Sequence, residues 1–99
     1  MARVLLTSPA DADMAGIIAY LAGNTGYNLA ARYVASFEQL YDRLADHPGS
    51  GARRPSLGPH VRIAIVSPYI VIYEHDPAGE TVIVLRIVHG RRKITGDLL

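Results

Sequence analysis

Basic side chains cluster near the end of the chain, in the stretch RIVHGRRKI at residues 86–94. Arg86 lies inside an apolar run, where an unpaired charge would be costly to bury. It must therefore face a groove or meet a carboxylate, for which Glu74 on the neighbouring predicted strand is one candidate. Arginine makes planar, two-pronged contacts with carboxylates and phosphates. Three further cations follow Arg86: Arg91, Arg92 and Lys93. They either contact an acidic target or partner, or form a solvated basic tail.

The remaining residues offer little other catalytic or ligand-binding chemistry. The chain has no cysteine, which excludes disulfides and cysteine-based zinc sites. Its four histidines lack metal-ligand spacing, and it contains no P-loop, nucleophile elbow or dinucleotide-binding fingerprint. We therefore predict no metal and no cofactor. His89 is the one histidine within a motif, and a structural hydrogen bond is favoured there over acid–base catalysis.

The composition is typical of one ordered domain spanning residues 1–99. Apolar residues make up 49% of the chain and charged residues 19%, which is unlike a disordered protein. The net charge is only +1, so no direct sequence-specific nucleic-acid binding is expected. The sequence shows no signal-peptide pattern and no apolar segment of about 20 residues. Together with the absence of cysteine, this predicts a cytoplasmic protein without a membrane partner.

Hydrophobic periodicity predicts one strand followed by two helices. The run ARVLLT is typical of a strand. Ser8 is then a natural N-cap, with Pro9 at the first helical position, and apolar residues recur at helical spacing until Gly23. A second helix runs from Asn28 to a stop at Pro48. Its apolar stripe consists of Leu29, Tyr33, Phe37, Leu40 and Leu44. The short break between the helices predicts an antiparallel helical hairpin.

The apolar period changes to two after a loop rich in glycine and proline at residues 49–60. Three β-branched runs follow: HVRIAIVS, YIVIYEHD and TVIVLRIVHG. Only Pro68 separates the first two, which predicts a tight hairpin. The predicted order is β-α-α-β-β-β. The fold class is α+β, with the N-terminal helical hairpin packed on one face of a small antiparallel sheet.

Alternation divides the three late strands into two faces. We predict that the helices cover the bulky aliphatic face, which consists of Val61, Ile63, Ile65, Ile70, Ile72, Ile83, Leu85 and Ile87. Because no other long helix remains, the opposite face should be open and should bind a partner protein through its apolar surface. That face includes Arg62, Val66, Tyr69, Val71, Tyr73, Val82, Val84, Arg86 and Val88. Alternatively, this face is covered by the tail at residues 94–99 or by a second copy of the chain in a homodimer.

The order and spacing of these elements resemble the RelE/ParE superfamily of bacterial toxins from toxin–antitoxin pairs. The resemblance runs from about residue 8 to residue 94. It rests on SPADADMAGIIAYL, LADHPGSGARR, HVRIAIVSPYIVIYEHD and VIVLRIVHGRRKI, of which the last is similar to the ParE-side ending. It implies a helical hairpin on an antiparallel sheet. It also implies a hetero-oligomeric complex with a cognate antitoxin, ParD-like or of another class, whose C-terminal segment wraps the toxin.

Two branches of the superfamily imply different activities. RelE-like members cut messenger RNA on the ribosome, whereas ParE-like members poison DNA gyrase without nuclease activity. The resemblance places Arg62 and Arg86 at the sheet-arginine positions and Arg53 and Arg54 in a basic loop. The catalytic residues of a RelE-like enzyme would then be Arg62, Arg86 and Arg54. The C-terminal tyrosine or histidine of that branch is absent from KITGDLL. The resemblance therefore favours a gyrase-binding toxin without catalytic residues. The alternatives are a ribosome-dependent endonuclease and a non-toxic binding module.

Overall fold

Two helices pack on one five-stranded sheet in the computed structural model, which describes all 99 residues. The elements in chain order are β1 (Arg3–Leu6), α1 (Ser8–Thr25), α2 (Tyr27–Asp46), β2 (Ala52–Arg53), β3 (Val61–Val66), β4 (Tyr69–His75) and β5 (Thr81–His89), with a final 3-10 turn at Gly96–Leu98. The predicted α+β fold with its N-terminal helical hairpin is confirmed. Neither helix is long and apolar enough to cross a membrane.

The strands follow the order β1-β5-β4-β3-β2 across the sheet. Strand β1 runs parallel to β5, and the other neighbours are antiparallel. Strands β3 and β4 form the predicted tight hairpin through Ser67 and Pro68. Two features correct the prediction: the pair β1–β5 is parallel, and the loop at residues 49–60 contains β2. A two-residue strand has no periodicity, so the sequence pattern does not show it.

The helical hairpin depends on Thr7 and Gly26. Thr7, and not the predicted Ser8, is the N-cap of α1, because its Oγ1 accepts the N–H of Ala10 at 3.1 Å. The same hydroxyl donates to the Leu85 carbonyl at 2.9 Å and so ties the start of α1 to β5. Gly26 alone separates the two helices and has a φ of +99°, a conformation that glycine adopts readily and other residues rarely do.

The core lies between the helices and the valine–tyrosine face of the sheet. Phe37, Leu40 and Leu44 of α2 are buried on this face. The sheet residues buried with them include Val66, Tyr69, Val71, Tyr73, Val82 and Val84. The prediction of an open partner-binding face is therefore wrong for these six residues. Both faces are apolar, and the short valines leave room for the ring of Phe37, which lies 6.1 Å from that of Tyr69.

A β-bulge in β5 inverts the alternation in the second half of that strand. Tyr73 lies opposite Val84, but the preceding residue, Ile72, lies opposite Arg86. Leu85 is therefore the extra residue, and a bulge of this kind moves every later side chain to the other face. Arg86 and Val88 leave the face to which alternation assigned them, and Ile87, which was assigned to the aliphatic face, joins the core under the helices.

The other face of the sheet carries most of the isoleucines and is only partly covered. Leu98, in the 3-10 turn, packs with the cluster formed by Val61, Ile72 and Val88. Ile65, further along β3, remains 56% exposed. The tail at residues 94–99 thus closes part of one face, as one alternative allowed, but this is the isoleucine face and not the valine–tyrosine face.

Candidate functional site: a hairpin groove and three arginines

A groove of about 690 Å³ lies between α1, the start of α2 and the end of β5, and we call it the hairpin groove. Most of its lining is apolar, and Arg92 and His89 lie at its β5 end. The other lining residues are Ala12, Asp13, Gly16, Ile17, Tyr20, Leu21, Leu29, Tyr33, Pro68, Tyr69, Ile87 and Val88. An apolar groove with a few polar groups at its edge is typical of a site for a partner segment.

Small side chains on α1 keep the hairpin groove open. The two small residues are Ala12 and Gly16, which are four positions apart and therefore share one side of the helix, and Tyr20 follows on the same side. A Cβ atom placed on Gly16 would meet nothing within 4 Å, and Tyr20 is 63% exposed. This surface could not be seen in the apolar stripe of α1, because it lies beside that stripe. The repeat of small residues beside that stripe was the available signal.

Three aromatic rings form much of the floor of the hairpin groove. The Tyr33 and His89 rings both meet Tyr69 edge to face, with centroids 5.8 and 5.9 Å away. The Tyr33 hydroxyl donates to the Ser67 carbonyl at 3.2 Å. Burial, followed by the nearby hydroxyls of Tyr33 and Tyr20, raises the pKa of Tyr69. Tyr69 therefore stays neutral at physiological pH.

Arg86 forms the single ion pair of the protein, with Asp13 of α1. Its Nε lies 2.7 Å from Oδ2 of Asp13 and its Nη2 lies 3.0 Å from Oδ1, so the contact is two-pronged. The N–H of Ile87 donates to Oδ2 at 3.0 Å, and Nη1 of Arg86 donates to the Leu98 carbonyl at 2.8 Å. The expectation that Arg86 meets a carboxylate is confirmed, but Glu74 is not the partner.

The protonation of this pair follows from its surroundings. Burial alone would raise the pKa of Asp13, but the hydrogen bonds from Arg86 and from the Ile87 N–H outweigh it, so the pKa lies below the usual 3.8. The hydrogen bond to Asp13 raises the pKa of Arg86. The Asp13 and Arg86 side chains are only 18% and 22% exposed. The pair is therefore ionised at neutral pH and clamps α1 and the tail to β5.

Arg62 occupies a second structural position, beside the loop that follows α2. Its Nη1 donates to the Gly51 carbonyl at 2.8 Å. The buried Tyr73 hydroxyl donates to the Pro48 carbonyl at 2.8 Å and accepts the Gly51 N–H at 2.9 Å. Desolvation raises the pKa of Tyr73, although the Gly51 N–H and the nearby Arg62 charge act to lower it. Arg62 and Tyr73 together hold the loop on the edge of the sheet.

Arg62 and Arg86 do not meet at a common point. Arg62 lies opposite Tyr73, whose side chain belongs to the core face, whereas Arg86 lies opposite Ile72, whose side chain belongs to the other face. Strand β4 separates them, which puts their backbones roughly 10 Å apart. Arg54 is held by its backbone N–H, which donates to the Val61 carbonyl at 2.9 Å. The structure thus gives the two sheet arginines separate structural contacts.

The basic segment after β5 is exposed and lies next to the hairpin groove. Arg91, Arg92 and Lys93 form no ion pair, and Arg92 lines the groove. Nδ1 of His89 accepts the Arg91 N–H at 3.1 Å. The predicted structural hydrogen bond of His89 is therefore confirmed. This segment leaves cationic groups free at the open end of the groove.

Comparison with known proteins identifies relatives over nearly the whole chain. A family model described as the ParE toxin of the type II toxin–antitoxin system parDE matches residues 4–94. Toxin ParE3 from Caulobacter vibrioides is 32% identical over 98 residues, which are 99% of this chain and 96% of that protein. Toxin ParE from Escherichia coli is 35% identical over 91 residues, which are 92% of this chain and 87% of that protein.

Solved structures of two toxin–antitoxin systems share the fold. A chain of the chromosomal ParDE system from P. aeruginosa superposes with a TM-score of 0.72 and 25% identity, covering 90% of this chain and 96% of its own length. A chain of the RelBE2 toxin–antitoxin complex from Mycobacterium tuberculosis superposes with a TM-score of 0.60 and 23% identity, covering 89% and 90%. At that identity the second likeness concerns the fold alone.

Proposed function

The chain belongs to the ParE toxin family of type II toxin–antitoxin systems, and on this premise we propose that it inhibits DNA gyrase by binding to it. A cognate antitoxin holds the toxin inactive in a hetero-oligomeric complex, and both act in the cytoplasm. The toxin contributes a binding surface and no catalytic residue of its own. RNA cleavage by the RelE-like route and a non-toxic binding role are the competing functions.

The match to the ParE model across residues 4–94 carries this proposal. The positions of the arginines support it. Cleavage of RNA needs cations and acid–base groups gathered around one phosphate. Arg86 is instead paired with Asp13, and Arg62 holds the Gly51 carbonyl on the other side of β4. These contacts favour a toxin that acts through its surface over one that acts through an assembled nuclease site.

Purified gyrase tests the proposal directly. Addition of the chain to gyrase, ATP and relaxed plasmid is expected to block supercoiling and to accumulate cleaved DNA, and prior mixing with the antitoxin should restore supercoiling. Primer extension on translated messenger RNA should show no new cuts. Messenger RNA cuts with unimpaired gyrase would establish the RelE-like route. Cells that express the chain without antitoxin would grow normally if the chain is a non-toxic binding module. Neither gyrase inhibition nor messenger RNA cleavage would then be seen in vitro.

The hairpin groove is our proposed docking site for the antitoxin. It replaces the valine–tyrosine face, which the helices bury. Its apolar floor is neutral, the exposed Tyr20 ring stands at its side, and Arg92 can meet an acidic residue of the incoming segment. An amphipathic segment with an acidic flank suits these features, because a helix-in-groove contact combines apolar anchors with charges at the rim.

Gly16→Arg is expected to weaken antitoxin binding by at least about tenfold, because a long charged side chain would fill the apolar groove. The fold should be kept, since Gly16 lies in a helix with open space at its Cβ position. Gly23→Arg is the matched control: it adds the same charge to the same helix, also into open space, and lies outside the groove. Isothermal titration calorimetry measures both affinities. Equal affinities for the two variants would place the antitoxin elsewhere.

A further inference from the structure

A cleft lies between the outer side of α2 and the edge of the sheet at β3, and we call it the edge cleft. It consists of two adjoining pockets of about 390 and 310 Å³, which share Arg43 and Ile65. Helix α2 forms one wall, and β3 with residues 50–52 forms the other. None of the lining residues is acidic, and two of them, Arg32 and Arg43, are arginines. The edge cleft is therefore a basic surface beside a strand.

The backbone of Ile65 lies on an open edge of the sheet. In an antiparallel ladder, every second residue directs both its N–H and its C=O to the same neighbouring strand. Because the Arg54 N–H donates to the Val61 carbonyl at 2.9 Å, the residues of β3 that face β2 are Val61, Ile63 and Ile65. Strand β2 pairs only with Arg62 and Ile63. The N–H and C=O of Ile65 therefore point to the edge at a position where no strand pairs with them.

The side chain of Ile65 supplies an apolar contact at the same point. Alternation places it on the isoleucine face of the sheet with Val61, and it is 56% exposed. A single exposed isoleucine on a protein surface is ordinary, but this one accompanies an unpaired backbone. A strand added beside β3 would place a side chain roughly 5 Å from that of Ile65, measured between Cβ atoms. An apolar residue at that position would cover Ile65.

Arg32 and Arg43 set the spacing of the acidic residues that suit this cleft. They are 11 positions apart on α2, which is about three turns and roughly 16 Å along the helix axis. Both side chains are exposed, and neither belongs to the ion pair of the protein. An extended segment spans this distance in about five residues, and its side chains alternate between two faces. Acidic residues on the face toward α2 would meet the arginines, while the residues between them would lie beside Ile65.

We propose that the edge cleft binds an extended acidic segment of a partner protein, which pairs with Ile65 as an added strand of the sheet. In this segment acidic residues alternate with apolar ones. A second copy of the chain is a poor fit, because a two-fold pairing of β3 edges would bring the arginines of both copies together. A nucleic acid would use the arginines but neither the backbone nor the side chain of Ile65. The proposal stands apart from gyrase inhibition and from the hairpin groove, with which the edge cleft shares only Tyr33.

Fluorescence anisotropy of a labelled peptide with the full-length chain tests this surface. The probe is an eight-residue peptide in which glutamate and valine alternate, and it is expected to bind saturably. A block peptide of four glutamates followed by four valines has the same charge and should bind at least about tenfold more weakly, because it cannot divide its side chains between two faces. Arg32→Ala combined with Arg43→Ala should weaken binding of the alternating peptide about tenfold. Arg3→Ala combined with Arg91→Ala removes the same charge from exposed positions outside the edge cleft and should leave the affinity unchanged.

N-methylated peptides test the pairing with the backbone of β3. The valines are the residues opposite Ile65, so their N–H groups point toward β3 and those of the glutamates point away. Methylation of the valine nitrogens should abolish binding, whereas methylation of the glutamate nitrogens should leave most of it. In nuclear magnetic resonance spectra, the amide signal of Ile65 should shift with the alternating peptide and not with the valine-methylated one. This measurement uses the native chain and does not depend on the folding of any variant.

Five results would overturn the proposal. The first two are equal binding of the alternating and block peptides, and equal effects of methylation on valine and on glutamate. Gly16→Arg, which fills the hairpin groove, would place the peptide in that groove if it weakened binding as much as the loss of Arg32 and Arg43. A short DNA duplex that binds more tightly than the peptide, and needs both arginines, would assign them to a nucleic acid. Dimerisation of the chain in sedimentation, abolished by Ile65→Asp, would give the edge to a second copy.

Discussion

Asp13→Ala is expected to lower the free energy of unfolding by about 2–3 kcal/mol, because it leaves Nε and Nη2 of Arg86 and the N–H of Ile87 without their acceptor in a partly buried position. For a domain of this size the melting temperature should fall by about 10 °C or more. The three hydrogen bonds to this carboxylate measure 2.7 to 3.0 Å. Urea unfolding of the purified chain measures the effect.

Asp11→Ala is the matched control for this prediction. Asp11 lies in the first turn of the same helix and is exposed, so its replacement should cost less than about 1 kcal/mol, the range of helix-dipole contacts. In a double-mutant cycle, Arg86→Met in the Asp13→Ala background should recover stability, because it removes the unpaired charge. An equal loss of unfolding free energy in Asp11→Ala and Asp13→Ala would show that the Asp13–Arg86 ion pair contributes nothing beyond the helix-dipole interaction.

Acid provides a second measure of the same pair. The pKa of Asp13 is lower in the folded chain than its usual 3.8, so the unfolded chain takes up the proton first as the pH falls. The stabilisation is therefore fully present above the unfolded pKa and is lost as the pH falls through the folded pKa. When the pH is lowered from about 6 to about 2.5, the unfolding free energy of the native chain should decrease by more than that of the Asp13→Asn variant. Parallel curves for the two chains would contradict an ionised clamp.

The long-range character of this clamp explains why the sequence did not reveal it. Asp13 and Arg86 are 73 positions apart, and no local period connects them. The sequence did show that Arg86 needed an anionic partner, because it stands in an apolar run. It offered Glu74 as the nearest acidic residue in a neighbouring strand. The correct partner depends on α1 crossing the free edge of β5 beyond the last residue of β1, which is a property of the assembled fold.

The elements themselves could be predicted because each has a strong local signal. The stripe from Leu29 to Leu44 predicts α2, and the β-branched runs predict β3, β4 and β5. The buried face could not be predicted, because both faces are apolar and alternation alone does not say which one meets the helices. The bulge at Leu85 added a second error, since a strand that is apolar on both faces gives no sign of a shifted register. The hairpin groove was missed because it needs two helices and a strand end together.

Gly51→Ala is expected to destabilise the chain by about 3 kcal/mol, at the upper end of the cost of adding a methyl group to a filled site. A Cβ atom at this position would lie 2.5 Å from the Ile63 carbonyl oxygen and 2.5 Å from the Tyr73 hydroxyl. Backbone cannot withdraw as a flexible side chain can, so either the loop leaves the sheet or Tyr73 leaves its pocket. Both movements break the contacts of Tyr73 with Pro48 and Gly51.

Gly49→Ala is the matched control, because a Cβ atom there would come no closer than 3.9 Å to Arg62 and should change the stability little. Tyr73→Phe in the Gly51→Ala background removes one of the two clashing atoms and leaves the Ile63 carbonyl in place. The double variant should therefore cost less than the sum of the single changes. Thermal and urea unfolding of the native chain and of four variants (Gly49→Ala, Gly51→Ala, Tyr73→Phe and the double variant) measure these differences. Equal stability of the two alanine variants would show that the loop has room to move and that Tyr73 does not fix it.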